Sequence, residues 1–241
     1  MHHDPYFTFR YTFRFDGGET KTFTVQLERD SLHLVGLSQA PPPEWTRLAA
    51  FRCGHCPLDG TKYEHCPVAA NLVDLVDFFR DSVSHQAVDL LIQTEERSYG
   101  KRTSLQSGVS SLLGIYMVTS GCPVMGRLKP MVRFHLPFAT LEETKYRAIS
   151  MFLVAQYVRE RKGQTPDWSL RGLVKIYEDI ALVNQNFADK LQALKVRDAQ
   201  LNAIAILSSF AEFTSMSIDY GEVDELDALF DGYTDPGAPT T

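Results

Sequence analysis

The chain reads as an α+β protein: a small N-terminal antiparallel β-sheet followed by a C-terminal helical bundle. Three observations carry this reading. Residues 6–15 alternate with period two, placing Phe7, Phe9, Tyr11, Phe13 and Phe15 on one side and Thr8, Arg10, Thr12 and Arg14 on the other. From Ser104 onward the apolar residues recur at the three–four spacing of helices. Between these regions, Pro41-Pro42-Pro43 and a cysteine-containing stretch interrupt both periods.

Alternating aromatics and threonines predict a half-buried first strand. Asp16-Gly17-Gly18 supplies a hairpin turn. Thr20 to Leu27 alternates again, with Phe23, Val25 and Leu27 on one side, and Arg29-Asp30-Ser31 turns into Leu32-His33-Leu34-Val35. Residues 1–40 are thus a β-meander. Residues 41–103 hold the proline linker, three cysteines, a helix of about four turns after Cys66, and one added strand with Val88, Leu90, Ile92 and Thr94.

Residues 104–218 form the bundle. Its first helix runs from Leu105 to Thr119, and a long one starts near Leu141. The stretch from Ala148 to Val158 is apolar except for Ser150 and Gln156, which predicts burial nearly all round. The next helix carries Leu173, Tyr177, Ile180, Asn184, Phe187, Leu191 and Leu194 as an interhelical seam containing one asparagine. A last helix is expected over about Asp198 to Phe213, and residues 219–241 as a flexible acidic tail.

The 241 residues are 44% hydrophobic and 22% charged, enough for an ordinary core. The net charge of −6 is local, because seven acids and no base fall in 219–241. The rest is nearly neutral and shows no clustered basic face, so no nucleic-acid partner is expected. No membrane span and no secretion signal are expected either. The setting read from this is cytoplasmic, where cysteines are more often ligands or catalytic thiols than disulfides.

The cysteines are the main chemical signal. They read Cys53-Gly-His-Cys56-Pro, His65-Cys66-Pro and Gly121-Cys122-Pro. A Cys-x-x-Cys pair with two further cysteines matches the number that a closed tetrahedral thiolate site needs. Proline after a cysteine favours a helix start, where free backbone N–H groups and the helix dipole would stabilise a thiolate. Cys53, Cys56, Cys66 and Cys122 are therefore expected to hold zinc or an iron–sulfur cluster. His55, His65 and His135 are candidates to replace one sulfur. The plain alternative is four buried small hydrophobes.

Other residues form a second, speculative constellation. His135 lies in Arg133-Phe-His-Leu-Pro-Phe, shortly before Glu142, Glu143 and Arg147. Glu143 and Arg147 are four apart and can share a helix face, so His135, Glu143 and Arg147 are candidates for acid/base work. The glutamates have a simpler use in complementing the helix dipole. Arg127, Lys129 and Arg133 are candidates to hold an anion near the sulfurs, or form a solvated face. Asn184, Asn202 and Gln156 either specify helix register or line a ligand pocket. Glu-x-x-His, Gly-x-Gly-x-x-Gly, the phosphate-binding Gly-x4-Gly-Lys-Ser/Thr loop and Gly-x-Ser-x-Gly are all missing from the chain, which removes the sequence case for a di-iron bundle, nucleotide binding and a hydrolase elbow.

Cys-x-x-Cys-Pro-Leu, Cys-Pro-Val-Ala-x-Asn-Leu, Ser-Gly-Cys-Pro, Arg-Phe-His-Leu-Pro-Phe and the Glu142-Glu143-Thr segment resemble an uncharacterised bacterial protein family of unknown function. The resemblance runs from the first strands to about residue 215 and implies a cytosolic bacterial setting. It lends no catalytic residues.

Three functions follow as expectations. The first is a metal-binding, redox-capable four-cysteine protein. The second is a thiol oxidoreductase with a low-pKa cysteine, Cys66 or Cys122 attacking and Cys53 or Cys56 resolving. The third is a non-catalytic interaction module, whose acidic tail and aromatic strand face meet a partner while the cysteines staple the fold. The partner is a small molecule or a protein.

Overall fold

The structure, a computed structural model, describes residues 4–36, 40–194, 198–219 and 222–234. Five strands, β1 (Tyr6–Phe15), β2 (Thr20–Glu28), β3 (Leu34–Val35), β4 (Ala87–Gln93) and β5 (Ser98–Ser104), form one sheet in the order β3-β2-β1-β4-β5. Every neighbouring pair is antiparallel, with Phe9 opposite Val25, Phe13 opposite Leu90 and Leu90 opposite Lys101. The β1–β2 turn closes through Gly18 N–H donating to Phe15 O at 2.9 Å, and Gly18 takes φ +85°, a conformation that favours glycine.

One sheet face is the core face. Phe7, Phe9, Tyr11, Phe13, Phe15, Val25, Leu27, Val88, Leu90 and Ile92 are all buried there, each contributing roughly 1.5–3 kcal/mol by removal from water. An aromatic face this fully covered is not open to a partner, which corrects the expectation of an aromatic docking surface. The fifth strand is additional to the one strand expected over 86–99. β5 is polar, an edge strand carrying Lys101 and Arg102, so it shows no apolar alternation.

The helices are α1 (Leu48–Phe51), α2 (Pro67–Asn71), α3 (Val73–Phe78), α4 (Leu105–Val118), α5 (Lys129–Arg133), α6 (Leu141–Arg161), α7 (Arg171–Ala193), α8 (Asp198–Asp219) and α9 (Asp231–Thr234). The single helix expected after Cys66 is two short ones, because the turn opens at Leu72. α4 lies between the sheet and the bundle. Gly108 lets it approach, since a Cβ there would sit 2.6 Å from Phe13 and 2.8 Å from Leu90.

α6 differs from expectation. Ala148, Ile149, Phe152 and Gln156 are buried, but Val154 is 63% and Tyr157 52% exposed. Its neighbours α5, α7 and α8 occupy one side only. On α7 the expected seam is buried from Leu173 through Tyr177, Ile180, Asn184 and Phe187 to Leu191. α8 packs on α4, α6 and α7. Among the described residues α8 is also the helix that is long and apolar enough to cross a membrane, by length and composition only, and 33% of its most apolar window is buried in this fold. Residues 222–230 form a 3-10 helix followed by α9. The expected tail residues 220, 221 and 235–241 lie outside the described residues.

Candidate functional site

The cysteine segment begins with α1, which leads into a turn closed by Cys56 N–H donating to Cys53 O at 3.0 Å. Pro57 starts no helix. Cys66 precedes α2 with Pro67 at its first turn, and Cys122 precedes the turn in which Gly126 N–H donates to Cys122 O at 2.8 Å. All four side chains line a small cavity of about 20 Å³, sharing its wall with Leu48, Phe51, Leu58, Val68, Val183 and Phe187.

This arrangement overturns the expected metal site. Among the described residues, no group of three or more His, Cys, Asp or Glu side chains is placed to hold a metal ion. The four cysteines share a wall with hydrocarbon side chains and are not grouped as ligands. The sulfurs sit among hydrocarbon, and burial pushes the Cys53 thiol up to about 12 and raises Cys66 and Cys122 as well. The sulfurs of Cys66 and Cys122 do lie beside backbone N–H groups, of Val68 and Ala69 and of Val124 and Met125 respectively, and these lower their pKa. Cys66 makes no hydrogen bond of capping geometry, however, and burial outweighs the amides. The low-pKa attacking thiol is overturned by the same balance. The four are free thiols without a disulfide, filling space as small hydrophobes.

The other residues expected near the sulfurs have separate uses. His65 Nδ1 hydrogen-bonds with Thr46 Oγ1 at 2.7 Å. His55 Nε2 is buried without a partner. Arg127 pairs with Asp179 at 3.2 Å, Lys129 donates to Ser31 O at 2.9 Å, and Arg133 stacks over Phe7 at 5.0 Å.

A second cavity, of about 340 Å³, lies where β5, α4, α5, α6, α7, α8 and the 134–139 loop meet. Its wall is mostly apolar. The space has a cause in the sequence: Ser107, Ser110, Ser111 and Gly114 fall at i, i+3, i+4 and i+7 on α4, and all four line the cavity. Small side chains along one helical stripe leave a volume that larger ones would fill.

Polar groups reach this space from several elements. His135 Nε2 hydrogen-bonds with Tyr11 Oη at 2.9 Å and Ser111 Oγ at 3.2 Å, and Tyr11 Oη with Ser111 Oγ at 2.8 Å. The imidazole packs edge-on to Phe9 at 5.3 Å. Burial first, then the Arg147 cation, push the His135 pKa down to about 3. This histidine is a neutral hydrogen-bonding group and a weak base at pH 7. Arg147 Nη2 donates to Phe134 O at 2.7 Å and Met131 O at 3.1 Å. Glu143 does not pair with Arg147; its carboxylate accepts from Thr140 N–H at 2.7 Å in the capping box that starts α6. His135 and Arg147 therefore share the cavity, and Glu143 serves the helix end.

Tyr177, Asn184, Lys101 and Phe138 also line the cavity. Asn184 is buried and its Oδ1 has no hydrogen-bond partner. Phe138 takes φ +62°, a costly conformation for a bulky residue and one that clusters at ligand sites. Lys101 lies over its ring at 5.7 Å. Tyr11, Ser111, Tyr177 and Lys101 were not read as site residues from the sequence, whereas Asn184 was legible as an amide on an apolar helix face.

An N-terminal antiparallel sheet packed on helices that line a mostly apolar, half-open cavity defines an α+β protein with a ligand-sized cleft. Residues 9–231 match the family model DUF6901, a domain of unknown function, and the chain belongs to that family. No curated protein and no solved structure matches the chain.

Proposed function

We propose that the protein binds a small, largely apolar molecule in the cavity between α4, α7, α8 and the 134–139 loop. The observation that carries this reading is the mostly apolar 340 Å³ space, with the Asn184 amide among the few polar side chains in its wall. Volumes of this order suit small-molecule ligands, which are typically held by apolar walls and a few placed polar groups. The strained Phe138 in the same wall supports the reading. The free thiols support the cytoplasmic setting expected from the sequence.

Titration calorimetry with octan-1-ol tests the reading. Saturable binding is expected in the native protein. Gly114→Leu should weaken it by about tenfold or more, because the added side chain enters the space that the glycine leaves open, where a Cβ meets only Leu207 at 3.6 Å. The reading fails if octanol does not bind saturably, or if folded Gly114→Leu binds it as well as the native chain.

A further inference from the structure

We infer that the occupant of this cavity is an amphipathic organic anion, with its acid group at Arg147 and its apolar body along α7 towards Asn184. The inference rests on the small-molecule reading above and names the ligand class. Its first support is the charge inventory of the wall. Among the described residues, Arg147 and Lys101 are the charged groups lining the cavity, and no aspartate or glutamate lines it. A mostly apolar space whose formal charges, among the described residues, are positive favours an anion over a cation or a neutral molecule.

The second support is the state of Arg147. Burial lowers its pKa, so the cation is partly stripped of water. Among the described residues it forms no ion pair, and only Nη2 is engaged, by two backbone carbonyls. The donors on Nε and Nη1 stay open, and a guanidinium is suited to carboxylate oxygens. Its nearest acid along α6, Glu143, is held in the capping box and acts on the Arg147 cation only at a distance, without an ion pair. His135 remains neutral and competes for no anion as a cation, while offering hydrogen bonding beside the site.

The third support is length. Tyr177 lines the same cavity as Arg147 and feels its positive charge, so we place the acid end at the Tyr177 end of α7. Asn184 is seven residues further along α7, about 10 Å at 1.5 Å per residue. Ile180, between them, lines the cavity and presents hydrocarbon. A molecule with an acid at one end, an apolar middle and a hydroxyl at the other meets the Arg147 cation, the Ile180 hydrocarbon and the Asn184 amide in this row.

Calorimetry with octanoate, octan-1-ol and octylamine, matched in chain and different in head group, tests the inference. Octanoate should bind about tenfold or more tightly than octanol, the order expected of one charge-assisted contact, and octylamine more weakly than both. ω-Hydroxyoctanoate should bind more tightly than octanoate, and Asn184→Leu should remove that advantage. Arg147→Gln should erase the preference for acid over alcohol while octanol binding persists. Arg147→Lys should keep part of it, and Lys101→Gln should reduce it. If Arg147→Gln does not fold, as loss of its carbonyl contacts allows, the native series and Lys101→Gln decide the matter. Octanol bound as tightly as octanoate, or octylamine bound best, overturns the anion while leaving the cavity reading intact. Binding of none of the three overturns both.

Discussion

At the scale of single residues, the cost of burying charge decides what the reactive side chains are. His135 sits against Phe9, Tyr11 and Ser111 with the Arg147 cation nearby, and its pKa falls to about 3. The unfolded chain takes up a proton near pH 6.5. Between these values the unfolded state binds more protons than the folded one. Stability from this residue is therefore complete above pH 6.5 and lost as the pH falls towards 3. His135→Gln keeps a hydrogen-bonding side chain and removes the proton. Around pH 5 the native protein should lose up to about 1.4 kcal/mol more per pH unit than the variant. Denaturant unfolding at pH 7, 6, 5 and 4 measures this; parallel curves would disprove the account. The same desolvation raises Cys53, Cys66 and Cys122. Spacing and the following prolines were legible in the sequence, and the prolines do bring amides near Cys66 and Cys122. The hydrocarbon around the sulfurs comes from Leu48, Val68, Val183 and Phe187, residues distant from one another in the chain, and no cysteine pattern announces them.

At the scale of elements, α4 links the two halves of the molecule. Gly108 faces the sheet, and Ser107, Ser110, Ser111 and Gly114 line the cavity. The Gly108 contact is tight enough that Gly108→Ala must displace the Phe13 ring or Leu90, both fully buried. Overpacking of this kind should cost about 1–3 kcal/mol, despite alanine's better helix propensity. A denaturation midpoint unchanged or raised in Gly108→Ala would contradict the close approach of α4 to the sheet. β1, β2 and α7 were legible because one face of each is buried and the other wet, so period and burial coincide. β5 was not, because an edge strand carries polar residues on both sides. The burial of α6 was overread: its apolar residues run all round, while its neighbours cover one side.

At the scale of the whole molecule, the cavity joins the last strand of the sheet, β5, to the helices through α8, so its occupant bridges elements that must stay together for the fold to persist. A ligand bound only by the folded state raises stability by mass action. Octanoate at about 100 times its Kd should add about 2.7 kcal/mol, a rise in Tm of roughly 5–10 °C for a domain of this size. Scanning calorimetry reads it directly, and an unmoved Tm at concentrations that saturate binding would refute a site dependent on the native fold. The sequence by itself determined the α+β order, the strands with alternating faces, the α7 seam and the family resemblance, because periodicity is a local property set by side-chain geometry along a strand or helix. Only the tertiary structure decided that the cysteines are wall residues set among hydrocarbon, that the aromatic face of β1 is sealed, and that Arg147, His135, Tyr177 and Asn184 surround one space. Those outcomes depend on the dielectric and the volume between elements remote in the chain, which no single segment specifies.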